Sequence, residues 1–302
     1  MKTEWKAFLE ESGAEFANDR VIHFGNPGRE REVAVSGLVF AGLEYMGIIA
    51  VHGSDAGSFL QSQFTNDINS VDELGSQLNA YCTPKGRVLG LMRVFRHADS
   101  WYLRLPADSL EAVIQRLRMF VMRADVVLED VSDNFLRIGV SGEAADAELG
   151  SLVAKLPSEI DAVVHQGELT VIRVPGIQLR YEVYATSLSA ARQLWDSLNV
   201  RGAPVGETAW RLLEIRAGIP TVFAATAELF VPQMMNLELI NAVSFKKGCY
   251  PGQEIVARMQ YLGTLKRRMY AGKIASDKIA LPGDALFPAG EDAQAVGRIV
   301  DA

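Results

Sequence analysis

Tyr45-Met-Gly-Ile-Ile-Ala-Val51 offers almost nothing to water. A nearly continuous apolar run this short fits a strand buried on both faces, so the fold must cover a sheet from two sides. His52-Gly-Ser-Asp55 then ends the strand and supplies a cap for a helix whose apolar stripe is Ala56, Phe59, Leu60 and Phe64, with Thr65-Asn-Asp67 stopping it. Three strand candidates flank this unit: Arg31-Glu-Val-Ala-Val35 before it, and Val88 to Phe95 with Trp101-Tyr-Leu-Arg-Leu105 after it. Pro84 to Gly86 reads as a tight turn between strands. Asp108 caps a helix to about Arg123, with Leu110, Val113, Ile114, Leu117, Phe120 and Val121 at helical spacing on a core-facing stripe.

A second strand-rich segment opens at Phe135-Leu-Arg-Ile-Gly-Val140. It continues through a helix from Ala144 to Leu156, strands Leu169 to Val174 and Leu179 to Ala185, and a helix from Leu188 to Leu198. This order echoes the first half and predicts two α+β lobes sharing one sheet system. An amphipathic helix at the N-terminus carries Trp5, Phe8 and Leu9, and another runs from Gly206 to Gly218. Past Leu265 the pattern changes to short strands with Gly and Pro turns (Met269 to Ile274, Ala285 to Phe287, Ala295 to Val300), which predicts a small β-barrel. The expected divisions are an N-terminal helix (1–20), a first lobe (21–130), a second lobe (131–245), a linking segment and helix (246–264) and a partial barrel (265–302).

At 302 residues, 49% apolar and 22% charged, the chain has ample material for such a core. It has no run of 18 apolar residues and no cleavable leader pattern, so no membrane role and a cytosolic location are expected. Cys82 and Cys249 share no metal spacing, and the four scattered histidines form no HxxxH pattern, so no metal site is expected. Two thiols are also too few for this chain alone to hold a cluster on four. Charge is unevenly spread: from Phe245 to Lys273 seven basic residues face one acid, a balance of +6, leaving −13 for the remainder of a chain with net charge −7. That asymmetry points to an anionic partner, either nucleic acid or a small polyanion, and RNA contact through 246–273 follows as a candidate.

The densest chemistry lies in Phe245-Lys-Lys-Gly-Cys-Tyr-Pro-Gly-Gln-Glu254. Pro251-Gly252 fits the first turn of a helix with Ile255, Val256, Met259 and Leu262 on its apolar side. Cys249 would then sit just before a helix N-terminus, with Lys246 and Lys247 close by, a setting that favours thiolate over thiol. Gly248 would let the backbone approach a ligand or take positive φ. A poised thiolate and a small buried hydrophobe are both open readings of Cys249. Cys82, beside Lys85 and Arg87, is a weaker candidate for the same cleft. Glu182 alternates with apolar neighbours and either enters a pocket or faces solvent. Gln233 and Asn236 suit either a heteroaromatic ligand's amide edge or helix capping.

Lys247-Gly-Cys-Tyr-Pro-Gly-Gln-Glu254, with Phe230-x-Pro-Gln233, Asn236-Leu-Glu238, Ser244-Phe-Lys246, Val256-Ala-Arg258 and Lys266-Arg-Arg268 around it, resembles the signature of the YgfZ-type folate-binding proteins. These are relatives of the glycine-cleavage T protein, the aminomethyltransferase. Weaker similarity includes Phe59-Leu-Gln-Ser-Gln-Phe-Thr-Asn-Asp-Ile68 and Glu214-Ile-Arg-Ala-Gly-Ile-Pro220. The resemblance implies T-protein-like α+β lobes around a central folate pocket and a C-terminal barrel. It implies binding of tetrahydrofolate or a one-carbon-substituted folate, and a role with iron-sulfur proteins or their assembly machinery that reaches tRNA thiolation. It places Cys249 and Lys247 as the functional pair and implies folate contacts at Glu182, Arg216, Gln233, Asn236, Tyr250 and Glu254. Two departures matter. T proteins carry an aspartate in the strand after the Pro84-Lys-Gly86 turn, whereas Val88-Leu-Gly-Leu-Met92 has no carboxylate, which argues against aminomethyl transfer. The family's barrel also continues past Val296-Gly-Arg-Ile-Val300, so one to three strands are expected to be absent here. A folate-dependent one-carbon transferase and an RNA-binding accessory protein are the alternative readings.

Overall fold

The computed structural model describes residues 1–275, 279–288 and 294–302. The chain begins with α1 (Thr3–Glu11), which buries Trp5 and Leu9, and a hairpin of β1 (Glu15–Ala17) and β2 (Arg20–His23). Next is α2 (Pro27–Ala34), where a strand was expected at Arg31 to Val35. The reason is local: the Asn26 side chain accepts the Arg29 amide at 3.0 Å and Pro27 opens the first turn, so a complete start signal sits just upstream.

β3 (Val39–Gly42), β4 (Met46–His52) and α3 (Ala56–Gln63) follow, then β5 (Ser76–Cys82), β6 (Val88–His97), β7 (Ser100–Pro106), α4 (Ala107–Arg118) and β8 (Val127–Asp130). α4 stops short of Arg123, and Asp108 lies inside it, where its carboxylate accepts the Ser109 hydroxyl at 3.0 Å. The second half brings β9 (Leu136–Ser141), α5 (Ala145–Leu149), β10 (Val163–Gln166), β11 (Leu169–Arg173), β12 (Arg180–Ala185), α6 (Leu188–Leu198), β13 (Ala203–Pro204) and α7 (Glu207–Arg216). α5 is a single short helix because Gly150 closes it well before Leu156. α8 (Gln253–Tyr261) follows the signature.

Two sheets result. One is antiparallel in the order β5-β6-β7-β4-β8, and the other runs β10-β11-β12-β9-β3-β13, antiparallel except for β13 beside β3. β3 crosses from the first half of the chain into the second sheet. The period of two along the strands decides which side chains meet. Ile49, Val51, Leu103 and Leu105 face α4 and its stripe Leu110, Val113, Ile114 and Leu117. Tyr181, Val183 and Ala185 face α6 and its Trp195. Ile48 and Phe95 turn the other way and meet Ile172, Val174 and Tyr184 of the second sheet. β4 is therefore covered on both faces, as its composition requires.

Among the described residues of 265–302, the regular structure is a two-residue ribbon, β14 (Ala285–Leu286) on β15 (Gly297–Arg298), and no barrel closes. Met269 to Ile274 is not a strand and its flanks are exposed. Parts of the expected barrel, 276–278 and 289–293, lie outside the described residues. No helix among the described residues is long and apolar enough to cross a membrane.

Candidate functional site

The signature docks on the first lobe through the end of α3. No basic residue stands in the last turn of that helix, and its final carbonyls lack intrahelical partners. Lys247 supplies the cation from far along the chain: its Nζ donates to the carbonyls of Gln61 at 2.6 Å, Phe64 at 2.6 Å and Asn66 at 2.9 Å. The same short stretch is bound elsewhere to the approach of the signature. The Thr65 hydroxyl donates to the Ala242 carbonyl at 2.7 Å, the Ser244 amide to the Thr65 carbonyl at 2.9 Å, and the Asn66 amide nitrogen to the Asn241 carbonyl at 2.6 Å.

Lys247 is 9% exposed, and burial pushes its ammonium down to about 8, with Asp67 opposing. The three carbonyls also favour the charged form. The Tyr250 ring centre lies 5.4 Å from Nζ, within cation-π range. Tyr250 itself is buried, which raises its phenol above the usual range, with Cys82 a lesser influence.

On the other side the signature packs turn against turn. Gly252 takes φ +84°, and a Cβ there would lie 2.4 Å from the Thr83 carbonyl oxygen and 2.8 Å from the Gly86 Cα. Gly86 takes φ +68°, with Ile255 in contact. Only glycines allow these two backbones to touch. Cys249 is thus held between an anchored lysine and a locked turn, three residues ahead of the Gly252 cap of α8, and its thiol is exposed. Gly248 is exposed too, with open space within 4 Å of its Cβ position, and it has no positive φ, so that expected role does not apply. Cys82 is 1% exposed in a core with Val88, Met235 and Val256, and burial pushes its thiol up to about 12. The two thiols differ in access.

The expected folate contacts fall at separate places. Glu182 is 1% exposed and points at the first sheet because it alternates with Tyr181 and Val183. It pairs in two places with the Arg104 guanidinium and accepts the Tyr184 hydroxyl at 2.5 Å. Burial opposes ionisation there, but Arg104 and Arg93 outweigh it and hold the carboxyl below its ordinary range. Arg93 stands opposite Arg104 across β6 and β7 and reaches Asp161 at 2.5 Å. Gln233 is buried, donating to the Val256 carbonyl at 2.7 Å, while its Oε1 is buried without a protein partner. Asn236, at φ 58°, donates to the Met269 carbonyl and accepts from Arg268, so it ties down the stretch after α8. Arg216 is exposed at the end of α7, and Glu254 is exposed and paired with Arg258 at 3.1 Å.

These six do not form one ligand shell. A cavity of about 490 Å³, lined by Glu44, Tyr45, Met46, Asp108, Arg137 and Phe223 among others, contains none of them. Glu182 is linked to its lining through Arg104, which donates to the Met46 sulfur at 3.6 Å. Its chemistry fits a pterin's N–H groups, and with Arg104 and Tyr184 taking three of the roughly four acceptor positions of a carboxylate, one remains on Oε1. The set as a whole therefore does not fit a folate held by all six at once. No group of three or more His, Cys, Asp or Glu placed to hold a metal occurs among the described residues.

Sequence reasoning missed Arg104 and the 61–66 platform. Arg104 could have been found, because Trp101-Tyr-Leu-Arg-Leu105 puts a charge on an alternating strand that pairs with the doubly buried β4. The platform offers only main-chain oxygens, which leave no residue-type signal.

Comparisons with known proteins bear on the family and the fold. Residues 14–247 match the GCVT N-terminal domain family, so Cys249 and α8 lie just past the match. The chain is 33% identical over 228 residues to the tRNA-modifying protein YgfZ of Colwellia psychrerythraea, covering 76% of this chain and 69% of that one. It is 30% identical over 224 residues to the protein of the same name from Hamiltonella defensa, covering 74% and 66%. The fold is similar to the glycine cleavage system aminomethyltransferase T from Bartonella henselae, with TM-score 0.72 and 17% identity over 85% of this chain and 74% of that one.

Proposed function

The chain belongs to the GCVT N-terminal domain family as a YgfZ-type member, and from that premise we propose that it supports tRNA modification, tRNA thiolation in particular, through a folate-linked role in iron-sulfur protein maturation. The carrying observation is Cys249: an exposed thiol on a short loop fixed at both ends, by Lys247 on the end of α3 and by Gly252 on the Pro84-Lys-Gly86 turn. Exposure gives the thiol to a partner, and fixation sets its angle of approach. The protein works in the cytosol, with iron-sulfur proteins or their assembly machinery as partners.

Tetrahydrofolate, or a one-carbon form of it, binds at the junction of the two sheets rather than in a shell of six residues. Glu182 is the acceptor there with the right chemistry, and the adjoining cavity has the volume range of small-molecule sites. RNA contact uses the end of α8 and the stretch beyond it, where Tyr261, Lys266, Arg267, Tyr270 and Lys273 are exposed, combining positive charge with stacking surface. Aminomethyl transfer is the weaker alternative because β6 carries no carboxylate.

Calorimetric titration of tetrahydrofolate into the protein tests the ligand. Saturable binding at one site per chain is expected; absence of binding at millimolar ligand would remove folate from the proposal.

A further inference from the structure

Lys247 stands two residues from the exposed thiol, and an ammonium there invites a chemical role. Its surroundings point elsewhere. An ammonium has three N–H donors and no acceptor, and all three of its neighbours at hydrogen-bond distance are main-chain carbonyls of Gln61, Phe64 and Asn66. None of these acceptors belongs to the signature. Gln61 stands in the last turn of α3, Phe64 is its C-cap and Asn66 follows in the turn beyond; this helix has no cation of its own, and the partial negative charge of its terminus collects here. Lys246, next in line, is exposed with no ion-pair partner among the described residues.

We propose that Lys247 is a positioning residue: it serves as the C-terminal cation of α3 and so fixes the pose of Cys249, taking no part itself in the chemistry. Its functional weight rests on the reading of Cys249 as the working thiol, while its geometry is testable without that reading. The unassigned motif Phe59 to Ile68 gains a purpose as well. It is the platform on which the signature is built, which accounts for both motifs occurring in one chain.

The first test uses the unaltered protein. Reductive methylation with formaldehyde and cyanoborohydride at pH 7, followed by peptide mass spectrometry, should modify Lys246 at least roughly ten-fold faster than Lys247, because a committed buried ammonium reacts only on local opening. Equal rates would overturn the proposal. The second compares hydrogen-exchange protection of the two amides that bracket the segment, Ser244 (donating to the Thr65 carbonyl) and Gln253 (donating to the Tyr250 carbonyl), in Lys247→Met, Lys247→Arg and Lys246→Met. Protection should fall roughly ten-fold in Lys247→Met, recover partly in Lys247→Arg and stay unchanged in Lys246→Met. A Lys247→Met protein with native protection at Ser244 and Gln253 would overturn it. A general structural loss would instead lower protection across β4 and β7, which the same measurement reads.

Discussion

The Lys247 ammonium lies 2.6 Å from the Phe64 carbonyl oxygen, a contact made 183 residues apart in sequence. Because burial brings this ammonium down to about 8, against 10.4 for an unperturbed lysine, the folded protein loses this proton before the unfolded chain does. Between those values the unfolded state binds more protons, so this group's contribution to global stability rises with pH. The same sign holds for a local opening that frees Lys247, because the opened lysine regains its ordinary proton affinity. Protection factors of the Ser244 and Gln253 amides, each taken against the unfolded rate at the same pH, should rise as pH passes about 8, and Lys247→Arg should abolish that rise.

Glu182 and Arg104 form a buried pair between the two sheets. Glu182→Gln leaves the guanidinium uncompensated beside Arg93 and should cost about 3–5 kcal/mol in urea denaturation. Replacing both partners, as Glu182→Leu with Arg104→Met, should restore much of that loss. The carboxyl is held below its ordinary range, so the pair's contribution is present above the ordinary carboxylate range and fades as pH drops through the lowered folded value.

Gly252→Ala meets both a positive φ and the Thr83 carbonyl. It should destabilise by about 1–3 kcal/mol in thermal or chemical unfolding. Gly248→Ala, with open space around it, should be close to neutral by the same measurement.

Thiol titration with Ellman's reagent at pH 7.5 should give one fast equivalent, from Cys249, and a second only on unfolding. Cys82 is 1% exposed and its thiol is raised to about 12 by burial, so little thiolate is available to react. Two fast equivalents would contradict the placement of Cys82.

Much of the architecture was legible because it is written locally. The doubly buried β4, the α4 and α6 stripes and the strands Leu169 to Arg173 and Arg180 to Ala185 follow from apolar periodicity. Arg31 to Val35 is largely helical because the Asn26-Pro27 start signal upstream outweighs the β-branched Val33 and Val35. Past α8 the alternating pattern of short apolar stretches is present without the strand pairing to stabilise it among the described residues, and Leu262, Tyr270 and Ile279 are exposed. Within the site, the signature identified Cys249 and Lys247 by residue type. Their surroundings could not be read that way, because Lys247 is held by carbonyls, which every residue possesses, and Gly252 by a turn some 166 positions upstream. The dispersal of Gln233, Asn236 and Glu254 has the same origin: polar type suggests a ligand, but each is used by its own fold.

The central claim is that Cys249 carries the function while the rest of the signature holds it in place. In a bacterial strain lacking its own relative, thiolated nucleosides in total tRNA can be measured by mass spectrometry after complementation. Wild type and Lys246→Met should restore them, and Cys249→Ala, expressed at the wild-type level with unchanged unfolding, should not. Full restoration by Cys249→Ala would contradict the account.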